Sequence, residues 1–204
     1  FSKQGRWNRG FKLVLKRIIQ ATQSDELIVN KSKFTGYALI GESREDFLSS
    51  INIIASQMPG SNHVAFAYQI KMNHGVDAYF NDAGEPSGTA GKPLLNILEK
   101  KNIVNCGLAV VRFYGGVNLG TGGLARAYTR SGMLALDKAK IEPFTEHIKY
   151  KLSFKYSQLG KISNVINSSN GIIMDKHFDQ NITLLAKLTE NTFQEITKHF
   201  PTII

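Results

Sequence analysis

The stretch FYGGVNLGTGGLARAYTR, residues 113–130, decides how the chain is read. Five glycines fall within the nine positions from Gly115 to Gly123, and Arg126 and Arg130 follow them. Glycine loses more conformational freedom on folding than any other residue, so this density needs a physical reason. On the N-terminal side, GLAVVRFY (107–114) is a nearly unbroken run of β-favouring residues, the pattern of a strand buried on both faces. On the C-terminal side, GLARAYTRSGMLALDKAK (123–140) sets positions 124, 127, 128, 131, 134 and 135 on one repeating stripe, which predicts a helix with one buried face. Strand, glycine loop and helix therefore follow one another directly.

Working outward, a second glycine stretch, NDAGEPSGTAGKP (81–93), lies upstream. Pro93 suits the first helical position of PLLNILEKKN (93–102). KFTGYALIG (33–41) and HVAFAYQI (63–70) alternate as strands. Between them REDFLSSINIIASQM (44–58) places Phe47, Leu48, Ile51, Ile54 and Ala55 on one helical stripe, stopped by Pro59-Gly60. The segment through His74, Asp77 and Asp82 is polar and reads as a loop. Beyond a boundary at about 141–146, strand 147–156, a short helix in SQLGKISNVINSS, strands NGIIMDKHF and NITLLAKLT, and helix ENTFQEITKHF give the order βαββα. That is a ferredoxin-like order lacking one strand, with only PTII left to supply it. The expectation is an α+β chain of two domains, 17–142 and 146–204, after a basic leader at 1–16 that is disordered or foreign to the native product.

The 204 residues carry a net charge of +9. Lys3, Arg6, Arg9, Lys12, Lys16 and Arg17 account for six of those nine, so the remainder is only mildly basic. A single cysteine, Cys106, excludes an internal disulfide framework and fits a reducing compartment. No apolar run approaches the roughly 18 residues of a membrane span, and the start lacks the apolar core of a signal peptide. The expected location is the cytoplasm, with no membrane partner.

Both glycine stretches fail the strict nucleotide tests. Gly115 and Gly120 have the Walker spacing, but Thr121-Gly122 follows where lysine and a hydroxyl belong. Gly120 and Gly122 match a dinucleotide fingerprint only with Ala125 as its third member, and no acid sits about 20 residues on. Ser87 lacks a nucleophile elbow, Cys106 enters a buried strand, and His63, His74, Asp77 and Asp82 lack tight ligand spacing. No cofactor or metal is expected. A glycine loop running into a helix N-terminus does point unpaired N–H groups at one spot. Arg126, in the first turn of a helix starting at 123, would oppose the helix dipole, a cost that is reasonable where an anion binds. The alternative is that Glu85 or Asp82 neutralises the arginines within the fold. The candidate anion- or nucleic-acid-binding set is Lys92, Arg112, Gly115, Gly116, Gly120, Gly122, Gly123, Arg126 and Arg130, with Asp82 and Glu85 as acidic members.

HVAFAY (63–68), DAGEPSGTAGKPLL (82–95) and VVRFYGGVNLGTGGLARAY (110–128) together resemble the YigZ/IMPACT family, over about residues 17–200. Ala83 departs from the pattern, which often has a second acid or an asparagine there. The resemblance implies a first domain like the second domain of a small-subunit ribosomal protein, a fold shared with domain IV of elongation factor G. It implies a second domain like the ferredoxin-like domain V of that factor. Family members are associated with translation. Eukaryotic members also restrain an amino-acid-starvation kinase pathway through an additional N-terminal domain, for which residues 1–32 are too short. The function expected is a non-enzymatic regulator of translation that binds RNA or the ribosome. The alternative is an enzyme acting on a small phosphorylated or carboxylated substrate in the glycine-rich groove, with Glu85 or Asp82 as acid/base.

Overall fold

The computed structural model describes residues 14–72 and 74–200. The chain divides between Phe144 and Thr145 into two compact units. Residues 1–13 of the basic leader and 201–204 lie outside the described residues, whereas Lys16, counted with the leader, opens the first strand.

The N-terminal unit runs β1 (Lys16–Ile18), β2 (Thr22–Gln23), β3 (Leu27–Val29), β4 (Ser32–Ile40), α1 (Arg44–Gln57), β5 (His63–Met72), β6 (Gly75–Asn81), α2 (Gly91–Lys101), β7 (Cys106–Phe113), α3 (Gly120–Asp137) and β8 (Ile141–Pro143). Its main sheet has the order β2-β4-β7-β5-β6, with β3 also paired to β4. β1 and β8 form a separate two-stranded antiparallel sheet, in which Arg17 faces Glu142. Pro143 therefore does not simply break the chain, because the segment 141–143 is recruited to a strand by residues more than a hundred positions earlier.

The buried β7 run separates two cores. Leu108 and Val110 join Phe34, Leu94, Leu98, Tyr128 and Leu136 on the face covered by α2 and α3. Ala109 and Val111 join Tyr37, Phe47, Ile51, Phe66 and Tyr68 under α1. The side-chain period of two along the strand is what serves both faces. α1 starts at a capping box in which Ser43 Oγ accepts from the Asp46 N–H while the Asp46 carboxylate accepts from the Ser43 N–H.

Three further elements differ from the sequence reading. α2 opens at Gly91, so Pro93 is its third residue and not its first. The polar segment after His74 is a strand, β6, which pairs with β5 from Met72–Gly75 to Phe66–Asn81. As an edge strand it is exposed on both faces, so it lacks the alternation that burial would impose. The helix after the glycine loop starts at Gly120 rather than 123.

The C-terminal unit runs β9 (Ile148–Phe154), α4 (Leu159–Ser168), β10 (Ile172–Phe178), β11 (Ile182–Leu188) and α5 (Glu190–His199). Its antiparallel sheet has the order β10-β11-β9. Leu152, Phe154, Ile182, Leu184, Ala186 and Leu188 form its core with Ile162, Ile166 and Ile196 from the helices.

Candidate functional site

The two glycine stretches are fastened to one another by a buried ionic cluster. Glu85, from the loop between β6 and α2, accepts from Arg112 Nη1 through both oxygens at 2.7 and 2.9 Å. Tyr128 of α3 donates to Glu85 Oε1 at 2.7 Å, and Arg112 Nη2 donates to Ser32 Oγ at 3.3 Å. The guanidinium lies 5.5 Å from the Phe34 ring centroid and 5.2 Å from that of Tyr114. His63 Nδ1 donates to the Ala83 carbonyl at 2.7 Å, leaving Nε2 4.0 Å from Glu85 Oε1. Burial first, then the hydrogen bond to Glu85, push the Tyr128 hydroxyl well above the usual range, so it stays a donor. Arg112 and Glu85 are 4% and 8% exposed, which removes both from the surface available to a phosphate or a substrate. Arg112, named with the phosphate contacts, is instead the internal partner of Glu85.

Asp82 is engaged in another way. Its Oδ1 accepts from the Ala90 and Gly91 N–H groups at 2.9 and 2.8 Å, and its Oδ2 from the Gly88 N–H at 2.8 Å. Burial works against the carboxylate, but the N–H groups of Gly88, Ala90, Gly91 and Lys92 outweigh it and hold the group below its ordinary pKa. Asp82 is thus the anion at the N-terminus of α2, bound where the helix dipole favours negative charge. Ala83 beside it takes φ 51°, the left-handed region in which asparagine and aspartate are the commoner non-glycine residues. The family preference noted at this position therefore has a conformational reason.

At α3 the arrangement is reversed. Among the described residues no side chain caps its N-terminus, and Gly120, Thr121 and Gly122 are exposed. Gly115 lets the loop cross β4: a Cβ there would lie 2.1 Å from the Lys31 carbonyl carbon, and its N–H donates to Ser32 Oγ at 3.1 Å. Gly116 and Gly120 take φ 79° and 69°. Gly123 lies close under Leu119. Because the helix begins at Gly120, Arg126 stands in its second turn, where the direct opposition to the dipole has largely faded. Its side chain nevertheless runs back toward the N-terminus, as helical side chains do. Nη1 lies 3.4 Å from where a Cβ on Gly122 would stand. Arg126 and Arg130 are exposed and form no ion pair among the described residues. Lys92, half-buried, lies over the Phe80 ring at 5.6 Å.

Sequence reasoning missed Ser32, His63 and Tyr128 as members of the Glu85 cluster. Tyr128 was legible only as part of an apolar stripe, although a tyrosine buried on such a stripe needs a partner for its hydroxyl. Cys106 is fully buried and its thiol is pushed up to about 12 by burial, which keeps it protonated and inert. No helix among the described residues is long and apolar enough to cross a membrane.

Known proteins resemble this chain along most of its length. Residues 30–136 match the Impact N-terminal domain, and residues 152–200 match a domain of unknown function, DUF1949. An IMPACT family member from Haemophilus influenzae is 34% identical over 81% of this chain and 81% of its own length. The IMPACT family member YvyE of Bacillus subtilis is 31% identical over 83% of this chain and 79% of its own. A solved structure titled as the crystal structure of an hypothetical protein overlays with a TM-score of 0.71 at 25% identity, covering 93% of this chain and 92% of that one.

Proposed function

This chain belongs to the IMPACT family, and from that premise we propose that it is a non-enzymatic regulator of translation that binds RNA or the ribosome through phosphate. The observation that carries this reading is the uncapped, exposed N-terminus of α3 with the Arg126 guanidinium drawn back over Gly122. A helix start with exposed residues and two arginines in no ion pair among the described residues suit a phosphate backbone, which asks for positive charge and close approach rather than a shaped pocket. Lys92, Arg126, Arg130 and the loop from Gly116 to Gly123 supply the binding groups. Arg112 positions the loops through Glu85. On the same reading, residues 17–142 are the counterpart of domain IV of elongation factor G, and residues 146–204 are a ferredoxin-like domain.

The enzyme alternative relied on Glu85 or Asp82 as acid/base. Asp82 is held by backbone amides and Glu85 by Arg112 and Tyr128, so neither carboxylate is set up to exchange a proton with a substrate. Co-sedimentation with ribosomes, and binding of single-stranded RNA, at graded salt test the proposal. The expected result is binding at low salt that weakens steeply, with log K falling by about 0.7–1 per neutralised phosphate for each unit of log salt. Absence of binding to both at low salt would overturn it.

A further inference from the structure

The β6 edge is the least protected sheet margin among the described residues. Edge strands expose unpaired N–H and C=O groups, and proteins guard them with short length, lysine, proline or bulges. The other margins follow that rule. β1, β2, β3 and β8 are two or three residues long. β9 carries Lys149 and Lys151, and β10 carries Lys176 beside a register break between Ile173 and Asp175. β6, GVDAYFN, has no lysine, arginine, proline or break in its pairing with β5, and Asp77 is its one charge. It nevertheless shows Val76, Tyr79 and Phe80 to solvent at 43%, 38% and 37%.

Its own sequence says what fits there. Met72 pairs with Gly75 at the turn, so alternate residues Gly75, Asp77 and Tyr79 direct their backbone groups at β5. The N–H and C=O groups of Val76, Ala78 and Phe80 then face outward. A second β6 laid antiparallel about Ala78 sets Ala78 against Ala78, Val76 against Phe80 and Asp77 against Tyr79. All three pairings keep partners on the same face, as a sheet requires. Val76–Phe80 is a β-branched–aromatic pair of the kind that stabilises sheets. The charges agree as well. Arg44 lies 5.6 Å from the Tyr79 ring centroid, so Asp77 of one copy meets the arginine-covered tyrosine of the other. α2 closes the edge beyond Phe80, where Gly91 packs on the Asn81 backbone.

We propose that two copies of this chain join through β6, pairing antiparallel about Ala78 to make one continuous sheet. The partner is a second copy because the strand complements itself in side-chain size and sets Asp77 against the Tyr79 that Arg44 of α1 covers. The junction adjoins Lys92, which lies over Phe80. The inference stands independently of what the α3 N-terminus binds.

Sedimentation velocity on the full chain, from micromolar to sub-millimolar concentration, tests it. A reversible dimer is expected. Ala78→Pro and Val76→Lys are each expected to weaken it by at least about tenfold, read as the dissociation constant. Proline is tolerated where the missing N–H points away from the parent sheet, so Ala78→Pro disrupts the pairing between copies and not the β5–β6 ladder. Val76→Lys, at an exposed position, keeps the test decisive if proline disturbs the strand. A chain that stays monomeric across the range overturns the proposal, and so does a dimer that survives both substitutions.

Discussion

The N-termini of α2 and α3 both emerge from glycine-rich loops, and they are treated in opposite ways. At α2 the chain supplies its own anion: Asp82 takes three N–H groups at 2.8–2.9 Å. At α3 no described side chain caps the helix, the first turn is GTGG with no acid in it, and the next charges along the helix are the cations Arg126 and Arg130. The acids of the first stretch are fully used within the fold, while the exposed cations of the second have no partner among the described residues. On the proposed reading, the α3 end is the one that takes its anion from outside the chain.

Substitutions at four positions sharpen or break this contrast. The largest effect is expected at Glu85, whose removal leaves the Arg112 guanidinium buried and uncompensated. Glu85→Ala should cost about 3–5 kcal/mol in urea unfolding. A loss below about 1 kcal/mol would mean that the two loops are not held together by this pair.

Asp82 comes next. Asp82→Ala strips the cap from α2 and should cost about 2 kcal/mol at neutral pH. The same carboxylate gives a pH signature. Its folded pKa lies below the unfolded value, so its contribution is present above about pH 4 and is lost as pH falls through the folded value. Stability of the parent chain should therefore drop more steeply below pH 4 than that of Asp82→Asn, as measured by acid titration of the melting temperature. Parallel curves would contradict the assignment.

Gly122→Ala separates stability from binding at α3. Alanine is a better helix former by up to about 1 kcal/mol, yet its methyl takes up the van der Waals space beside Arg126 Nη1. Higher stability with weaker RNA binding is expected, and a gain in both would show that Arg126 does not act over Gly122. The smallest effect is at Ala83. Relieving its left-handed backbone with Ala83→Gly should raise stability by about 0.5–1 kcal/mol, and a loss would place a packing role on its methyl group.

How much of this the sequence disclosed depends on which forces act locally. β7 and the body of α3 were legible because burial on two faces and on one stripe writes its period into the residues. β6 was not, since an edge strand exposed on both faces carries no such period and its polar residues read as a loop. The first turn of α3 was hidden because GTGG has poor helix propensity, which the backbone ladder and Leu119 over Gly123 override. Pairings across long separations were silent as well. Arg112 finds Glu85 27 residues away, and β1 finds β8 across most of the unit. Motif reading could gather Arg112, Arg126 and Arg130 into one basic set. Only burial tells the internal cation from the exposed two.

That distinction is tested most directly by Arg126→Ala/Arg130→Ala, followed in parallel by RNA binding against salt and by urea unfolding. Binding should weaken for all RNA sequences alike, with a salt slope flatter by about 0.7–1 for each phosphate no longer neutralised. Stability should stay within about 0.5 kcal/mol of the parent. A double variant that loses several kcal/mol of stability while its folded fraction binds RNA with an unchanged slope would contradict the external role of these arginines.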